Sequence, residues 1–564
     1  MHYAQLRQVR EELTGPGGQF EIVEIESLGR KVRAFKNAPP SVREFWLSTA
    51  AWGDRPYLVY EDDVLTYAQA HADAAAIANW LWDRGVRPGD RIAVAMRNYP
   101  EWMVIYWACT AIGVTVAGLN AWWTAEELDY ALKDAQPKVI FVDKERLARL
   151  RECEYAGDMA VVGVRLDNYD ADVTPYAEVT ARGGAMPQVT VDPDSDACIF
   201  YTSGTTGFHK GAQLTHRGCI ANLMNMLYST TAQALAVERA TGEAPPADPP
   251  PPVTLLTTPL FHVTANNCGA YLTSAAGGTI VLMYKWEAGE ALKLVEKHRI
   301  TSISGVPVMS RELINHPDFA RTDTSTLTGL SGGGAQVPPD LVLKIDEAVK
   351  TARPTTGYGM TETCGIITSV SGDFFVDRPD SAGPAMPSFE VKVVDDDGKE
   401  LPLGEAGELW VKGTPVIKGY INRPDATAQT ITDGWLHTGD VARIDEDGFI
   451  YIVDRKKDLV IRGGENVSCT EVEACIYRVP GVAECCVFGV PDQRLGEEIG
   501  VAVVMKPGES ATAQDVIAHC TAHMSKHKVP RYVWFMDQPL PRNASGKFLR
   551  RELRDELSKQ VVEA

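Results

Sequence analysis

Small hydroxylated residues alternate with glycine at residues 201–211, which read YTSGTTGFHKG and include a single lysine, Lys210. Glycine lets backbone amides approach an anion closely, and serine or threonine hydroxyls add hydrogen-bond donors without bulk. A common P-loop places a hydroxylated residue directly after its lysine, whereas Gly211 follows Lys210 here. The stretch therefore predicts a phosphate-binding loop of another kind. Taken alone, it is also compatible with a flexible surface loop.

The elements that must position this loop are predicted from short apolar runs that alternate with amphipathic helical patterns. Such alternation is typical of parallel sheets whose two faces are covered by helices. The predicted helix spans Tyr67–Arg84, and the predicted strands span 91–96, 138–143, 253–260 and 278–283. A proline-rich stretch at 242–252 interrupts the rhythm, and we interpret it as a stiff surface insertion.

The pattern changes after about residue 385. Residues 389–413 show period-two strands with Asp-Gly and Leu-Gly turns, which predict a small antiparallel barrel. The charged run DRKKD at 454–458 then precedes a compact unit. Its predicted elements include a helix at 470–477, a helix at 512–524 and a strand at 532–535. We place the domain boundary at the charged run, which gives domains 1–455 and 456–564.

Composition and charge exclude some classes of function. The 564 residues carry a formal net charge of -20, which argues against a nucleic-acid backbone or an anionic membrane as the main partner. The 11 cysteines include no CxxC pair, which favours a reducing, cytoplasmic setting. The uncharged segment Trp102–Ala125 is long enough to span a bilayer. Because Gly113, Gly118 and Asn120 interrupt it, we predict a buried helix followed by a core strand, and no stable membrane insertion.

Four further motifs follow the loop along the chain. They are TGYGMTE at 356–362, GWLHTGD at 434–440, FIYIVDRKKDLVIRGGEN at 449–466 and PRNASGK at 541–547. With the loop, and in this order, they resemble the adenylate-forming superfamily, of the acyl-CoA synthetase or fatty-acid–CoA ligase type. The resemblance extends from near residue 50 to Lys547. It implies an α/β fold in which a large N-terminal domain has two stacked α/β sheet subdomains and a small β-barrel. A small, mobile α+β C-terminal domain would follow.

The resemblance also implies a reaction in two steps. A carboxylate attacks the α-phosphorus of ATP to give acyl-AMP and pyrophosphate, and the thiol of coenzyme A then displaces AMP. The implied partners are therefore ATP, Mg²⁺, coenzyme A and a small carboxylic acid. Because two anions must meet in the first step, charge neutralisation and positioning are its main demands.

Roles follow for the residues that match the family's motifs. The loop residues implied to bind the phosphates are Thr202, Ser203, Gly204, Thr205, Thr206, Gly207 and Lys210. Glu362 and Thr202 would hold Mg²⁺, and Thr361 would contact the α-phosphate. Lys547 would lie between the carboxylate and the α-phosphate, where an ammonium offsets growing negative charge. The alternative for Lys547 is an ordinary exposed lysine at a helix start.

The nucleoside would be held by three further side chains. Tyr358 would stack on adenine. Asp440 would accept hydrogen bonds from the ribose hydroxyls, and Arg455 would support the same sugar. The alternative for Tyr358 is a core tyrosine, and the alternative for Asp440 and Arg455 is a surface ion pair. The remaining positions implied to line the cofactor sites are Gly333, Gly334, Ala335, Gly357, Gly359, Met360, Ile452 and Glu465.

The second step needs room for a long thiol. By resemblance, Lys457 is the hinge about which the C-terminal domain rotates, and Gly463 and Gly464 face the pantetheine arm. A tight turn is the alternative for the two glycines. His262, in PLFHVTANN, would lie at the entrance of the acyl pocket, with a hydrogen-bonded core histidine as the alternative.

Two positions depart from the family pattern. His209, in the phosphate loop, stands where the family usually has proline. Gln336 stands where the family often has proline, in a loop that by resemblance lines the adenine and acyl sites. The glycines at 332–334 leave space that favours an elongated or bulky hydrophobic acid, and Asn266 and Asn267 could accept a polar substituent. We predict a medium- or long-chain fatty acid, with aryl and alicyclic acids as alternatives.

Other functions remain open at this point. GLSGG at 329–333 matches the nucleophile elbow of α/β-hydrolases, in which Ser331 would attack an ester. A recognisable oxyanion segment such as HGGG is lacking. An acyl-AMP ligase would have the same fold but would transfer the acyl group to an acceptor other than coenzyme A.

For the oligomeric state, we expect a homodimer.

Overall fold

The computed structural model describes residues 3–155, 157–202, 209–242, 249–335, 337–349, 351–456, 458–462, 465–543 and 546–562. Its α-helices are α1 (Tyr3–Thr14), α2 (Val42–Ser48), α3 (Tyr67–Asp83), α4 (Pro100–Thr110), α5 (Ala125–Ala135), α6 (Lys144–Leu150), α7 (Tyr176–Thr180), α8 (His216–Thr241), α9 (Tyr271–Ala275), α10 (Ala288–His298), α11 (Pro307–Asn315), α12 (Pro339–Ala348), α13 (Gly372–Asp377), α14 (Pro424–Thr430), α15 (Cys469–Ile476), α16 (Ala513–His523), α17 (Arg550–Leu557) and α18 (Lys559–Val562). A π-helix spans Thr264–Ala270, and a 3₁₀ turn spans Thr361–Thr363.

Two hairpins precede the large sheets. Their strands are β1 (Ile22–Ser27), β2 (Arg30–Phe35), β3 (Pro56–Tyr60) and β4 (Asp63–Thr66). Helix α3 begins directly after β4 because Thr66 caps it. The Thr66 hydroxyl accepts from the backbone N–H of Gln69, whose side-chain oxygen accepts from the Thr66 N–H at 2.9 Å. The alanine-rich face of α3 then packs into the core.

The first large sheet is mostly parallel. Its strands are β5 (Arg91–Ala95), β6 (Thr115–Gly118), β7 (Val139–Val142), β8 (Ala160–Gly163), β9 (Val173–Pro175), β10 (Asp196–Thr202) and β11 (Lys210–Thr215). They are ordered β11-β10-β6-β5-β7-β8-β9, and β10 and β11 pair antiparallel. Strands β5, β6 and β7 have few or no charged residues because helices cover both faces of the sheet.

The second large sheet carries the glycine-rich strands of the predicted site. Its later strands are β12 (Val253–Leu256), β13 (Thr279–Leu282), β14 (Ser302–Gly305), β15 (Gly329–Gly333), β16 (Arg353–Met360) and β17 (Gly365–Ser371). The order is β17-β16-β15-β14-β12-β13-β3-β4. One continuous apolar core joins this sheet to the first, through residues such as Phe200 on β10 and Leu255 on β12. The two sheets are therefore stacked against shared helices.

An antiparallel sheet follows, where the small barrel is predicted. Its strands are β18 (Gly383–Pro384), β19 (Phe389–Val394), β20 (Gly407–Gly413), β21 (Ile431–Thr432), β22 (Trp435–Ile444) and β23 (Phe449–Arg455). They are ordered β18-β23-β22-β20-β19, with β21 beside β22. Among the described residues, the edge strands β18 and β19 do not pair with each other.

The C-terminal part has its own sheet and apolar clusters. Its strands are β24 (Val460–Arg462), β25 (Glu465–Val467), β26 (Val482–Asp492), β27 (Gly496–Met505) and β28 (Tyr532–Phe535). They are ordered β25-β24-β27-β26, with β28 parallel to β27. The predicted α/β class, with a large N-terminal and a smaller C-terminal domain, is confirmed. The boundary between residues 455 and 456, and the mobility of the smaller domain, stay predictions.

The segment Trp102–Ala125 includes most of α4, β6 and the turn that follows, and its large side chains are buried except for that of Trp122, which is exposed. In the described part of the chain, no helix is both long enough and apolar enough to cross a membrane.

The nucleophile-elbow hypothesis for Ser331 is wrong. An elbow requires a sharp turn between a strand and a helix. The backbone of Ser331 instead lies in the middle of β15, paired with Ser304 on one side and with Thr355 on the other. An extended, doubly paired backbone cannot form that turn.

Candidate active site

The predicted site lies where β15 and β16 end, side by side. Gly333 on β15 pairs with Gly357 on β16, so the two glycine-rich segments reach the same edge of the sheet. Gly359 is required by close packing, because a Cβ there would lie 1.9 Å from the carbonyl oxygen of Gly365. Gly334 has φ +75°, a left-handed conformation that favours glycine. Ala335 follows and is exposed.

One tyrosine links the predicted phosphate and metal positions. The hydroxyl of Tyr420 donates to Glu362 Oε1 at 2.7 Å, and Lys210 Nζ lies 4.5 Å from the centre of the Tyr420 ring. Burial raises the pKa of Tyr420 well above its usual value, and the nearby Glu362 adds to the rise. Tyr420 therefore stays protonated and orients the buried Glu362 carboxylate. The sequence reasoning missed this residue, since KGYINR carries no spacing signal by itself.

The predicted ribose side chains converge across the second and third sheets. Asp440 on β22 faces Arg455 on β23, with 3.3 Å between Asp440 Oδ1 and Arg455 Nε. The hydroxyl of Tyr358 donates to Asp440 Oδ2 at 2.6 Å. Burial raises the pKa of Asp440, while Arg455, the Tyr358 hydrogen bond and Lys547 oppose the rise. Ile452 lies on β23 opposite Ala442, and its side chain is half-buried.

Lys547 reaches this site from the C-terminal part. Its Cε lies 3.8 Å from the Cβ position of Gly334, a site that Thr264 of the π-helix also approaches. Burial lowers the pKa of His262 to about 4, and the charge of Lys547 contributes. Lys547, His262 and Gly334 are thus close neighbours, although Lys547 lies more than 200 residues further along the chain.

The Lys547 segment is held in place by a charged cluster at the start of α17. Arg550 Nη2 contacts Glu473 Oε1 at 2.8 Å, and its Nη1 lies 3.5 Å from Asp458 and 4.0 Å from Asp454. Asp454 lies in β23 directly before its last residue, Arg455, so this cluster connects the third sheet to the segment that carries Lys547. The Ser468 hydroxyl adds a bond of 2.8 Å to the carbonyl of Val453.

Some predicted residues fall outside the described part of the chain. They are Ser203, Gly204, Thr205, Thr206 and Gly207 of the loop, the hinge residue Lys457, the pair Gly463 and Gly464, and Gln336. The two ends of the loop are described. Thr202 ends β10 and pairs with Lys210, the first residue of β11. Glu465 begins β25 and is exposed.

His209, which replaces the family's proline, packs against the first sheet's helical layer. Its ring lies 4.9 Å from that of Trp123, and its Nε2 is 3.3 Å from Glu127 Oε1. Glu127 is also the carboxylate that caps α5. The histidine therefore anchors the end of the predicted phosphate loop to α5.

The chemistry of these side chains fits Mg²⁺ bound together with a nucleotide. Among the described residues, no three His, Cys, Asp or Glu side chains form a cluster that could hold a metal alone. Mg²⁺ commonly uses one or two carboxylates plus the phosphates of its nucleotide. Glu362 is a single buried carboxylate near Lys210, and Thr202 ends the strand that enters the loop. These residues could supply the protein's share of such a site.

Replacing Asp440 with asparagine should weaken nucleotide binding. The change keeps one acceptor oxygen but removes the charge and one of two acceptor positions. Hydrogen bonds to charged groups contribute about 1.5–3 kcal/mol. We therefore expect the KM for ATP to rise about 10- to 100-fold in assays of pyrophosphate release. Asp397→Asn, at an exposed position in the turn that follows β19, is the matched control. An unchanged KM in the Asp440 variant would contradict the ribose role.

His262 should act as a neutral residue throughout the physiological pH range. Since its pKa is lowered to about 4, the folded protein gains a proton there only in strong acid. We expect the ratio of kcat/KM between the wild type and His262→Gln to stay constant from about pH 5.5 to pH 8. A pH–rate profile of both proteins measures this ratio. An inflection of the ratio near the ordinary histidine pKa of about 6.5 would show that His262 titrates during turnover.

Comparisons with known proteins agree with this geometry. A family model described as "AMP-binding enzyme" matches residues 45–421, and one described as "AMP-binding enzyme C-terminal domain" matches residues 471–547. The chain is 36% identical over 493 residues to a feruloyl-CoA synthase of Amycolatopsis sp, covering 87% of this chain and 93% of the relative. It is 32% identical over 548 residues to a long-chain-fatty-acid–CoA ligase of Escherichia coli O6:H1, covering 92% and 94%.

Solved structures show the same architecture. ATP-bound MatB from Rhodopseudomonas palustris is 30% identical with a TM-score of 0.78, covering 92% of this chain and 99% of that one. The anthranilate CoA ligase AuaEII, in complex with anthranoyl-AMP, is 23% identical with a TM-score of 0.82, covering 93% and 98%. At that identity the second likeness shows the fold alone. The chain belongs to the AMP-binding enzyme family and is of the acyl-CoA synthetase type.

Proposed function

We propose that the protein activates a hydrophobic carboxylic acid with ATP and transfers the acyl group to coenzyme A. The observation that carries this proposal is the position of Lys547, whose Cε lies 3.8 Å from the Cβ position of Gly334 and whose charge acts on His262 and Asp440. A cation at this point is close to both the predicted acyl entrance and the predicted nucleotide.

In the first step, a carboxylate oxygen forms a bond to the α-phosphorus, and the bond to the bridging oxygen breaks to release pyrophosphate. Lys547 offsets the charge where the two anions approach, and Lys210 with the loop hydroxyls binds the departing phosphates. Asp440 and Arg455 orient the ribose. Glu362 and Thr202 would hold Mg²⁺, which would supply positive charge to offset that of the phosphates.

In the second step, the thiol sulfur bonds to the acyl carbon, its proton is lost, and AMP leaves with the electron pair of the mixed anhydride. A cavity of about 270 Å³ supports this step, because its wall is formed both by Arg542 and Gly546 of the Lys547 segment and by Phe261 and Met309 of the N-terminal part. Withdrawal of that segment would widen the cavity toward the acyl site. We propose Lys457 as the hinge and Gly463 with Gly464 as the face along which the pantetheine arm passes.

We propose two candidate classes for the acid. A medium- or long-chain fatty acid is the first candidate, and the long-chain-fatty-acid–CoA ligase relatives support it. An aryl acid is the second candidate, favoured by the 36% identity to feruloyl-CoA synthase and by the buried asparagines near His262.

We also propose a cytoplasmic location, which agrees with 11 unbridged cysteines, and a homodimer.

Release of pyrophosphate and AMP tests the function. Purified protein is assayed with ATP, Mg²⁺ and a panel of fatty, aryl and alicyclic acids, each with and without coenzyme A. The proposal requires continuous AMP release only when an acid and coenzyme A are both present. A single equivalent of pyrophosphate that coenzyme A does not increase would indicate an acyl-AMP ligase with another acceptor. The absence of nucleotide turnover with every acid would overturn the proposal.

A further inference from the structure

A buried amide near His262 has an acceptor atom that the protein itself does not use. Asn266 lies in the π-helix and is fully buried, yet its Oδ1 has no hydrogen-bond partner among the described residues. Leaving a buried polar atom unpaired costs about 1–3 kcal/mol, so such atoms in native proteins call for an explanation. A π-helix is itself rare and occurs frequently at functional sites.

The neighbouring amides determine which atom of Asn266 is free. Asn267 Nδ2 donates to the backbone carbonyl of Cys364 at 3.0 Å, and a carbonyl can only accept. Asn267 Oδ1 must therefore be the atom that faces Asn266, and it accepts from Asn266 Nδ2 at 2.9 Å. This leaves Asn266 with a carbonyl oxygen, an acceptor, as its unpaired atom. The assignment rests on this network of partners.

The π-helix and the turn before it connect this acceptor to the reacting end of the site. The Asn266 backbone N–H donates to the His262 carbonyl at 3.0 Å, so the two residues lie one helical turn apart. Thr264, between them, approaches the Cβ positions of Gly333 and Gly334, where Lys547 also lies. His262 Nε2 is likewise without a partner in the described ranges. Two buried polar atoms, one helical turn apart, are thus without a partner in the part of the chain next to Gly333 and Gly334.

We infer that Asn266 Oδ1 accepts a hydrogen bond from a hydroxyl or amino group on the body of the acid, about one helical turn from its carboxylate. This inference rests on the proposed function and makes it more specific. A purely hydrocarbon acid would leave the oxygen unpaired, whereas a hydroxylated acid satisfies it. A site that hydrogen-bonds a substrate hydroxyl rejects the analogue without it far more strongly than an apolar pocket rejects an extra group.

The test compares acids that differ only in the donor. The panel contains 4-hydroxy, 4-methoxy and unsubstituted forms of benzoate and 3-phenylpropanoate, together with a fatty acid and its hydroxylated form. We expect wild-type kcat/KM for at least one hydroxylated acid to exceed that of its methoxy and unsubstituted analogues by about 10-fold or more. The methoxy compound keeps an oxygen of similar size but cannot donate.

Variants then assign the preference to one residue. Asn266→Leu should reduce the preference for the hydroxylated acid to about threefold or less, since the acceptor is gone. The matched control is Asn225→Leu, a buried asparagine on α8 whose side-chain oxygen and nitrogen are both bonded to Ser388. Any general loss of stability affects all acids alike, so the control should keep the wild-type preference.

The outcomes separate this inference from the proposed function. If all acids turn over but hydroxylated and methoxy forms react equally, Asn266 Oδ1 is satisfied by water and the inference is wrong, while the ligase function stands. If no acid turns over, the proposed function itself fails. The wild-type panel decides between these results even if the Asn266 variant does not fold.

Discussion

Replacing Lys547 with alanine should lower the rate of acyl-AMP formation about 10²- to 10³-fold, the range measured when one charge-stabilising donor is removed from an active site. The side chain of Lys547 reaches Gly334 from the C-terminal part. In the alanine variant, no lysine charge would offset the repulsion between the carboxylate and the α-phosphate. The measurement is single-turnover pyrophosphate release with the acid found in the panel.

The second step provides the internal control for this variant. Supplied with synthetic acyl-AMP and coenzyme A, Lys547→Ala should form the thioester at close to the wild-type rate, because we propose that the lysine acts on the first step alone. Lys526→Ala, an exposed lysine of the same domain, should be normal in both steps. Equal losses in both steps would assign Lys547 a structural role.

The second large effect is expected for Glu362→Gln. Glutamine can keep an acceptor for the Tyr420 hydroxyl, which lies 2.7 Å from Oε1, but it removes the buried negative charge. A bound metal contributes several kcal/mol of charge stabilisation. Partial loss of its ligand should therefore lower kcat/KM about 10²-fold or more. The concentration of Mg²⁺ needed for half-maximal rate should also rise, which titration of the metal measures.

Two further variants sharpen this prediction. Glu405→Gln, at an exposed position in the loop before β20, should leave the Mg²⁺ dependence unchanged. Tyr420→Phe removes only the hydroxyl that orients Glu362 and should give a smaller loss of about 10- to 100-fold, as is typical of residues that orient metal ligands. A normal Mg²⁺ dependence in Glu362→Gln would show that the metal is held elsewhere.

The fold was predictable where a single physical signal dominates. Strands β5, β7, β12 and β13 are short apolar runs that a sheet covered on both faces requires, and the structure has them within a few residues of the predicted bounds. The helix from Tyr67 was predictable from its pattern, and it ends at Asp83. For the uncharged segment that begins at Trp102, the glycines were the signal that distinguished a buried helix and strand from a membrane-spanning helix.

The site was less predictable because its contacts join distant parts of the chain. The roles of Lys547 and Asp440 came from motifs, yet neither motif indicates that Tyr358 donates to Asp440 or that Tyr420 donates to Glu362. The first bond depends on how the third sheet packs against the second, and the second bond depends on how the segment between β20 and α14 packs against the turn after β16. No local pattern encodes either contact. Similarly, the elbow pattern around Ser331 is local, and only the sheet register excludes it.

The charged cluster at Arg550 has a consequence for domain-swap engineering. A chimera that takes its C-terminal part from a relative would naturally be joined at Lys457. Arg550 and Ser468, which precedes α15, would then come from the donor protein. Their partners Asp454 and Val453 would come from the recipient. A mismatch at either position would misplace the transplanted lysine even though both halves fold. The fusion junction therefore belongs upstream of Val453, so that the donor segment arrives with its own anchoring partners.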